Sequence, residues 1–220
     1  MSKLPKAVTT AQLEQIRKMA KEKGVFLGAF QKALDDGTVS RFLDAIRDGL
    51  PINIGLIITP PPGGRLHPVR VPVNPHREWQ EAINAAGPNT PADYNVRKVG
   101  DLYPVTTGPI ANAEIILMNF GPDGGNWAKA LEWAKINNLE LTTPRQVFAI
   151  GEHQPKLHKE LGMNPMYVVA TTECTFAGDQ RACDVWWHGA ERGASLGWVG
   201  VYGDAGGWFA FVRKSSGIGS

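Results

Sequence analysis

Two cysteines, five histidines and a late cluster of tryptophans are the side chains of this sequence whose types and spacing could do chemistry. Cys174 and Cys183 flank the segment Thr175 to Ala182. If the chain on either side forms two antiparallel strands, the thiols can stand across from each other at Cα separations of about 4.5–5.5 Å. A disulfide accepts that span. Two reduced thiols are the competing reading, and the one a cytoplasmic protein favours. His153, His158 and His188 are the candidate metal ligands, with Glu152, Glu160 or Glu173 beside them. His153 and His158 are five positions apart, which misses the i, i+4 pairing of zinc-binding helices. Pro155 also interrupts the helix between them, so the expectation is no metal and no cofactor. Gly121-Pro-Asp-Gly-Gly125 precedes a helix but has neither a Gly-Lys-Ser/Thr ending nor Gly-x-Gly-x-x-Gly spacing. It reads as a tight turn between a strand and a helix.

The aromatic cluster offers recognition rather than catalysis. Trp186, Trp187, Trp198 and Trp208 fall with Phe209 and Phe211 between Met166 and Arg213. Strand alternation puts Trp186 and His188 on one face and Val185 and Trp187 on the other. One of the paired tryptophans therefore points away from whichever side holds the core, unless loops or the N-terminal helices cover both. The polar residues Asp179, Arg181, Asp184, His188, Glu191 and Arg192 are placed on the loops and strand ends around it. A solvent-facing Trp ringed by Arg and Asp has the composition of a binding hot spot. The candidate ligand-binding set is Trp186, His188, Glu191, Arg192, Trp198 and Tyr202, with no catalytic residue assigned.

The elements that must position these residues follow from periodicity and punctuation. Residues 9 to 50 read as three helices, opened by a Thr9/Gln12 capping box and divided by Gly24 and Gly37. Residues 51 to 112 form a proline-rich connecting region. It holds a strand at Ile52 to Thr59, a turn at Pro60-Pro-Pro-Gly-Gly64, a strand at Val69 to Val73 and a helix over Pro75 to Ala86. Pro68 and Pro72 confine that second strand to a sheet edge. Gly87 to Gly108 is a loop-rich connection. The third part, residues 113 to 214, begins with a strand at Glu114 to Phe120 and a helix from Asn126 to Asn137. Thr143-Pro-Arg-Gln146 then combines a Thr cap, Pro at the first helical position and Gln three residues after the cap. Four strands are expected near Met166–Thr172, Cys183–Gly189, Leu196–Tyr202 and Gly207–Arg213. Asp204-Ala-Gly-Gly207 would serve as a hairpin turn between the last two. The tail, residues 215 to 220, is expected to be disordered.

Composition narrows the partners. A net charge of +2 with scattered basic residues argues against nucleic acid. No apolar run approaches the roughly 20 residues that span a bilayer. Met1 to Lys6 lacks the apolar stretch of a signal peptide, so a cytoplasmic location is the expectation.

One strand, two helices and a late aromatic meander ending in Phe209-Ala-Phe-Val-Arg213 resembles the C-type-lectin-like fold, in the branch that contains formylglycine-generating domains. Leu141-Thr-Thr-Pro-Arg-Gln-Val-Phe148 looks like the helix start of that branch. Thr171-Thr-Glu173 looks like one of its strand ends, and Phe211-Val-Arg213 like its closing strand. Residues 71 to 105 are similar in layout to bacterial and phage-borne proteins that end in this domain. The resemblance implies an α+β fold in which a helical segment, residues 1 to 50, and a connecting region precede a C-type-lectin-like domain. The Glu-Pro-Asn, Gln-Pro-Asp and Asn-Asp motifs of calcium-dependent sugar binding are missing, so it does not imply a lectin. The expected function is a non-catalytic binding or recognition module whose partner is a protein or another ligand. Two alternatives stand beside it. One is an enzyme, such as a formylglycine-generating-like oxidase holding copper on Cys174 and Cys183. The other is an assembly protein that forms homo-oligomers through residues 9 to 50.

Overall fold

Strand by strand, the apolar residues from 65 onward alternate between two sides of one sheet, and each side gathers its own helices. The computed structural model describes residues 58–88 and 92–213, together with the isolated helical positions Glu14 and Lys18. The compact unit they form begins at Ile58. The expected helices over 9 to 50, most of the strand at Ile52 to Thr59 and the tail lie outside the described residues.

In order, this unit runs β1 (Arg65–Val73), α1 (Trp79–Ala86), α2 (Tyr94–Lys98), β2 (Ala111–Asn119), α3 (Trp127–Ile136) and β3 (Leu139–Leu141). It continues with α4 (Pro144–His153), α5 (Leu157–Glu160), β4 (Met166–Phe176), β5 (Asp179–His188), β6 (Glu191–Trp198) and β7 (Gly207–Arg213). Short 3₁₀ turns sit at Gly100–Leu102 and Val199–Val201. The fold is mixed α and β. Its seven-stranded sheet has the order β1-β2-β7-β4-β5-β6, with β3 paired to β7.

Local signals explain the outer elements. Among the described residues β1 lies at an edge, bonded to β2. That is where Pro68 and Pro72 can be tolerated, because neither has an N–H to give a second neighbour. Gly64 N donates to Pro61 O at 2.8 Å, closing a turn in which Gly63 takes φ 71°. Pro61 is buried in that turn. At α4 the capping box forms as expected, and the Thr143 N–H donates to Gln146 Oε1 at 2.8 Å. The region 87–108, expected as loop, holds α2 because Asp93 caps it, accepting from the N–H groups of Asn95 and Val96.

Three expectations about the late strands are corrected. The loop expected over Thr175 to Ala182 is a two-residue turn at Ala177-Gly178, whose φ angles of 54° and 87° fit the mirror-image turns that suit hairpins. β5 therefore starts at Asp179 rather than near Cys183. β6 covers Glu191–Trp198 and gives way to a 3₁₀ turn before Tyr202. β6 and β7 do not pair at all, so Asp204 to Gly207 is not a hairpin turn. β4, β5 and β6 form an antiparallel meander, and β7 inserts between β2 and β4, antiparallel to the first and parallel to the second. The cause is burial on both sides of β7. Trp208 and Ala210 enter one core, Phe209 and Phe211 the other. A strand apolar on both faces is at home in the middle of a sheet covered twice.

The first face carries Val71, Ile115, Leu117, Val168, Val185 and Trp187 under α1, α4 and α5. The second carries Ile116, Met118, Val169, Phe209 and Phe211 under α3, whose Ala130, Trp133 and Ala134 face it. Beside β7 the neighbour changes from β4, which pairs through Ala170, to β3, which pairs from Phe211 onward. Two threonines close that junction. Thr142 Oγ1 and Thr171 Oγ1 each donate to Ala210 O at 2.8 Å. Each backbone N–H also donates to the other's hydroxyl, at 3.0 and 3.2 Å. Five buried polar groups are thus satisfied where the regular ladder is interrupted.

Candidate functional site

Cross-strand register settles where the aromatic and charged residues of β5 and β6 go. Asp184 faces Ser195, Trp186 faces Gly193, Trp187 faces Arg192, His188 faces Glu191 and Arg181 faces Trp198. Trp187 is the buried member of the tryptophan pair, at 1% exposure, and Trp186 is the partly open one. The ring of Trp186 lies against Gly193. A Cβ there would come within 2.8 Å of it, so the glycine makes the room.

Asp184 was expected at a strand end and instead sits in mid-strand, buried. It accepts hydrogen bonds from Ser195 Oγ at 2.7 Å and from Tyr202 Oη at 2.5 Å. Removal from water pushes its carboxyl up to about 6, against the lowering effect of those two bonds. Tyr202 is buried as well, and its phenol is pushed well up by burial and then by the Asp184 charge. Its hydroxyl sits against Gly197, where a Cβ would be 2.2 Å away. Tyr202 is therefore the lid of a closed polar cluster rather than a surface contact.

Arg192 also works inward. Its Nε donates to Ala86 O at 2.6 Å, at the C-terminal end of α1. That helix has no basic residue in its own last turn, so a cation from β6 meets the negative end of its dipole. His188 and Glu191 are exposed on either side of the β5–β6 turn. Trp198 ends β6 and is 52% exposed. At roughly 3.4 Å per residue, β6 holds Glu191 and Trp198 on the order of 24 Å apart. The six residues expected to line one surface are thus divided among two ends of a hairpin, a helix cap and a buried cluster.

The Trp198 end has the chemistry of recognition. Val201, in the next turn, is 59% exposed. The Trp198 ring leans over Gly200, where a Cβ would approach within 2.7 Å. Arg181, its cross-strand partner, pairs with Asp179 at 3.1 Å. Arg181 Nε is buried with no hydrogen-bond partner.

Both cysteines are free thiols. Register puts Cys174 opposite Arg181 rather than opposite Cys183, so the pair is diagonal. Burial pushes the Cys183 thiol well up, and the nearby Cys174 and Asp184 charges push the same way. On its own such a thiol is held in the protonated, unreactive form. Tyr103 shares this environment. Its phenol is raised by burial first, then by Cys183 and Cys174. Among the described residues no group of three His, Cys, Asp or Glu side chains is arranged to hold a metal ion, and no helix is long and apolar enough to cross a membrane. Glu152 and His153 do meet, at 3.6 Å, but in company with Arg77.

These elements make a mixed α/β domain with one seven-stranded sheet covered on both faces. Compared with protein-family models, with curated proteins and with solved structures, the chain matches none.

Proposed function

We propose that the unit from Ile58 onward is a non-catalytic recognition module, and that its contact surface is centred on Trp198. The observation that carries the reading is the half-exposed Trp198 ring beside the exposed Val201, with the Arg181 guanidinium opposite it across the strands. Trp and Arg dominate binding hot spots because they combine large apolar area with directed donors. The ring is held by its strand and leans over Gly200, so ordering it on contact costs little entropy. The fitting ligand is a protein segment that offers an apolar side chain to Trp198 and an acceptor to Arg181.

The resemblance to C-type-lectin-like domains is in keeping with this reading. Residues 111–213 run β2, α3, β3, α4, α5, the meander β4 to β6 and the closing strand β7, with α3 and α4 on opposite faces of the sheet. The first and last strands of that stretch, β2 and β7, lie side by side.

Selection of a random peptide library displayed on phage against the immobilised protein tests this. Peptides with a large apolar residue and an acidic residue should be enriched. Their binding should fall at least about tenfold in Trp198→Ala, the loss of a hot-spot residue. Arg181→Ala should weaken the same peptides. Enriched peptides that bind Trp198→Ala as well as the native chain would place recognition elsewhere.

A further inference from the structure

At the β1 edge of the sheet, far from Trp198, a cleft of about 180 Å³ opens where the C-terminal end of β1 meets the start of α1 and the end of α4. Its walls are of two kinds. Phe148, Ala82, Pro72 and the exposed Ile110 form an apolar side, and Arg145, Arg77 and Glu152 form a charged one.

The charged groups are fixed and incompletely used. Arg145 donates through Nε to Arg77 O at 3.2 Å and through Nη1 to Tyr103 O at 2.5 Å and Pro104 O at 3.3 Å. Its guanidinium lies 5.4 Å from the centre of the Trp79 ring. Those contacts pin the guanidinium, yet no hydrogen bond from Nη2 is formed among the described residues. Arg77 Nη1 is bonded to Glu152 Oε2, and the His153 ring approaches the same oxygen at 3.6 Å. Oε1 of Glu152 accepts no hydrogen bond among the described residues. The cleft therefore presents an open guanidinium edge and an open carboxylate oxygen beside an apolar wall. Glu78, whose charge reaches Arg145, adds a second negative charge nearby. The two arginines stand against the two carboxylates of Glu152 and Glu78, so these four full charges balance. Such a site has no surplus to attract a simple anion.

We propose that this cleft binds a small zwitterion, a free α-amino acid with an apolar side chain. The ligand carboxylate would pair with Arg145 and Arg77, its ammonium with Glu152, and its side chain with Phe148 and Ile110. A cleft of this size suits a body of leucine's size. A guanidinium held flat is the donor best matched to a carboxylate.

Calorimetric titration of the full chain with L-leucine, N-acetyl-L-leucine and L-leucinamide tests it. The last two remove one charge each and keep the side chain. L-leucine should bind, and each derivative should bind at least about tenfold more weakly, the effect of losing one charge-assisted contact. Glu152→Gln should remove the preference for L-leucine over its N-acetyl form. Arg145→Lys should weaken L-leucine and leave L-leucinamide unchanged. Should that variant fail to fold because Arg145 ties down two loops, the series on the native chain decides alone. Equal binding of either derivative would overturn the proposal, as would no heat from L-leucine at about 10 mM, beyond the weak end of specific affinity.

Discussion

The two faces of the sheet are covered by different means. On the first, α1, α4 and α5 lay apolar side chains over Ile115, Leu117, Val185 and Trp187, and the Tyr103 phenol lies beside Cys174 and Cys183. On the second, α3 covers the β2–β7 half in the same way. Towards β5 and β6, however, the cover is the chain segment after β6, which brings Tyr202 down onto Asp184 and Ser195. A helix can bury a face with side chains alone, since its backbone is satisfied internally. A loop cannot, and here the Gly203 N–H donates to Tyr167 Oη on that face at 3.1 Å, while the buried Tyr202 hydroxyl is taken up by Asp184. Gly193 and Gly197 make room for the Trp186 and Tyr202 rings.

The contrast is broken or sharpened by substitution. The largest effect is expected on the first face. Trp187→Ala should cost about 3–5 kcal/mol in urea unfolding, as for large core aromatics. If the loss were under 1 kcal/mol, that face would be less tightly packed than described. The second effect is specific to the polar face and appears as pH dependence. Asp184 titrates near 6 in the folded chain against 3.8 as its ordinary value. The folded state therefore holds the proton more tightly than the unfolded one. Its contribution is fully present below pH 3.8 and is lost as pH rises through 6. Between those limits the native chain should lose on the order of 3 kcal/mol relative to Asp184→Asn. Parallel stability curves for the two chains would show that Asp184 is not buried as a charge-averse group.

A smaller loss follows from uncovering one bond of that cluster. Tyr202→Phe keeps the ring over Gly197 and deletes the hydroxyl that Asp184 accepts from, at a cost of about 1–3 kcal/mol. Thermal unfolding checks it, and a neutral result would mean that water replaces the hydroxyl. The smallest effect belongs to the exposed end of β6. Trp198→Ala should change stability by less than about 0.5 kcal/mol while abolishing peptide capture. A clear fall in melting temperature would make Trp198 a packing residue instead.

How much of this was legible in the sequence depended on the reach of each signal. The Thr143 cap, the edge prolines of β1, the helix at α3 and the opposed fates of Trp186 and Trp187 were readable, because each is decided within a few residues. The place of β7 was not. Asp204-Ala-Gly-Gly207 has turn chemistry that fits a hairpin, and turn chemistry is local. The signal that wins is the unbroken apolar run Trp208 to Phe211, which marks a strand buried on both faces. The candidate site was legible in residue type and less so in position. Arg192 and Tyr202 carry the right chemistry but spend it on Ala86 and Asp184. The cleft at β1 was invisible, because its charged groups come from Arg77 and Glu152, 75 positions apart.

The paired threonines at Ala210 fasten β4 to the sheet at one point and release it beyond. From Glu173 onward β4 pairs only with β5, out to the Ala177-Gly178 turn. The hairpin overhangs the rest of the sheet, with Cys174 and Phe176 still packed against the first core. Residues added at its tip would lengthen the arm without shifting the register of β2, β7 or β3. The protein thus has a place where new sequence can be tried against the solvent while both cores stay as they are, and that place adjoins Arg181 and Trp198.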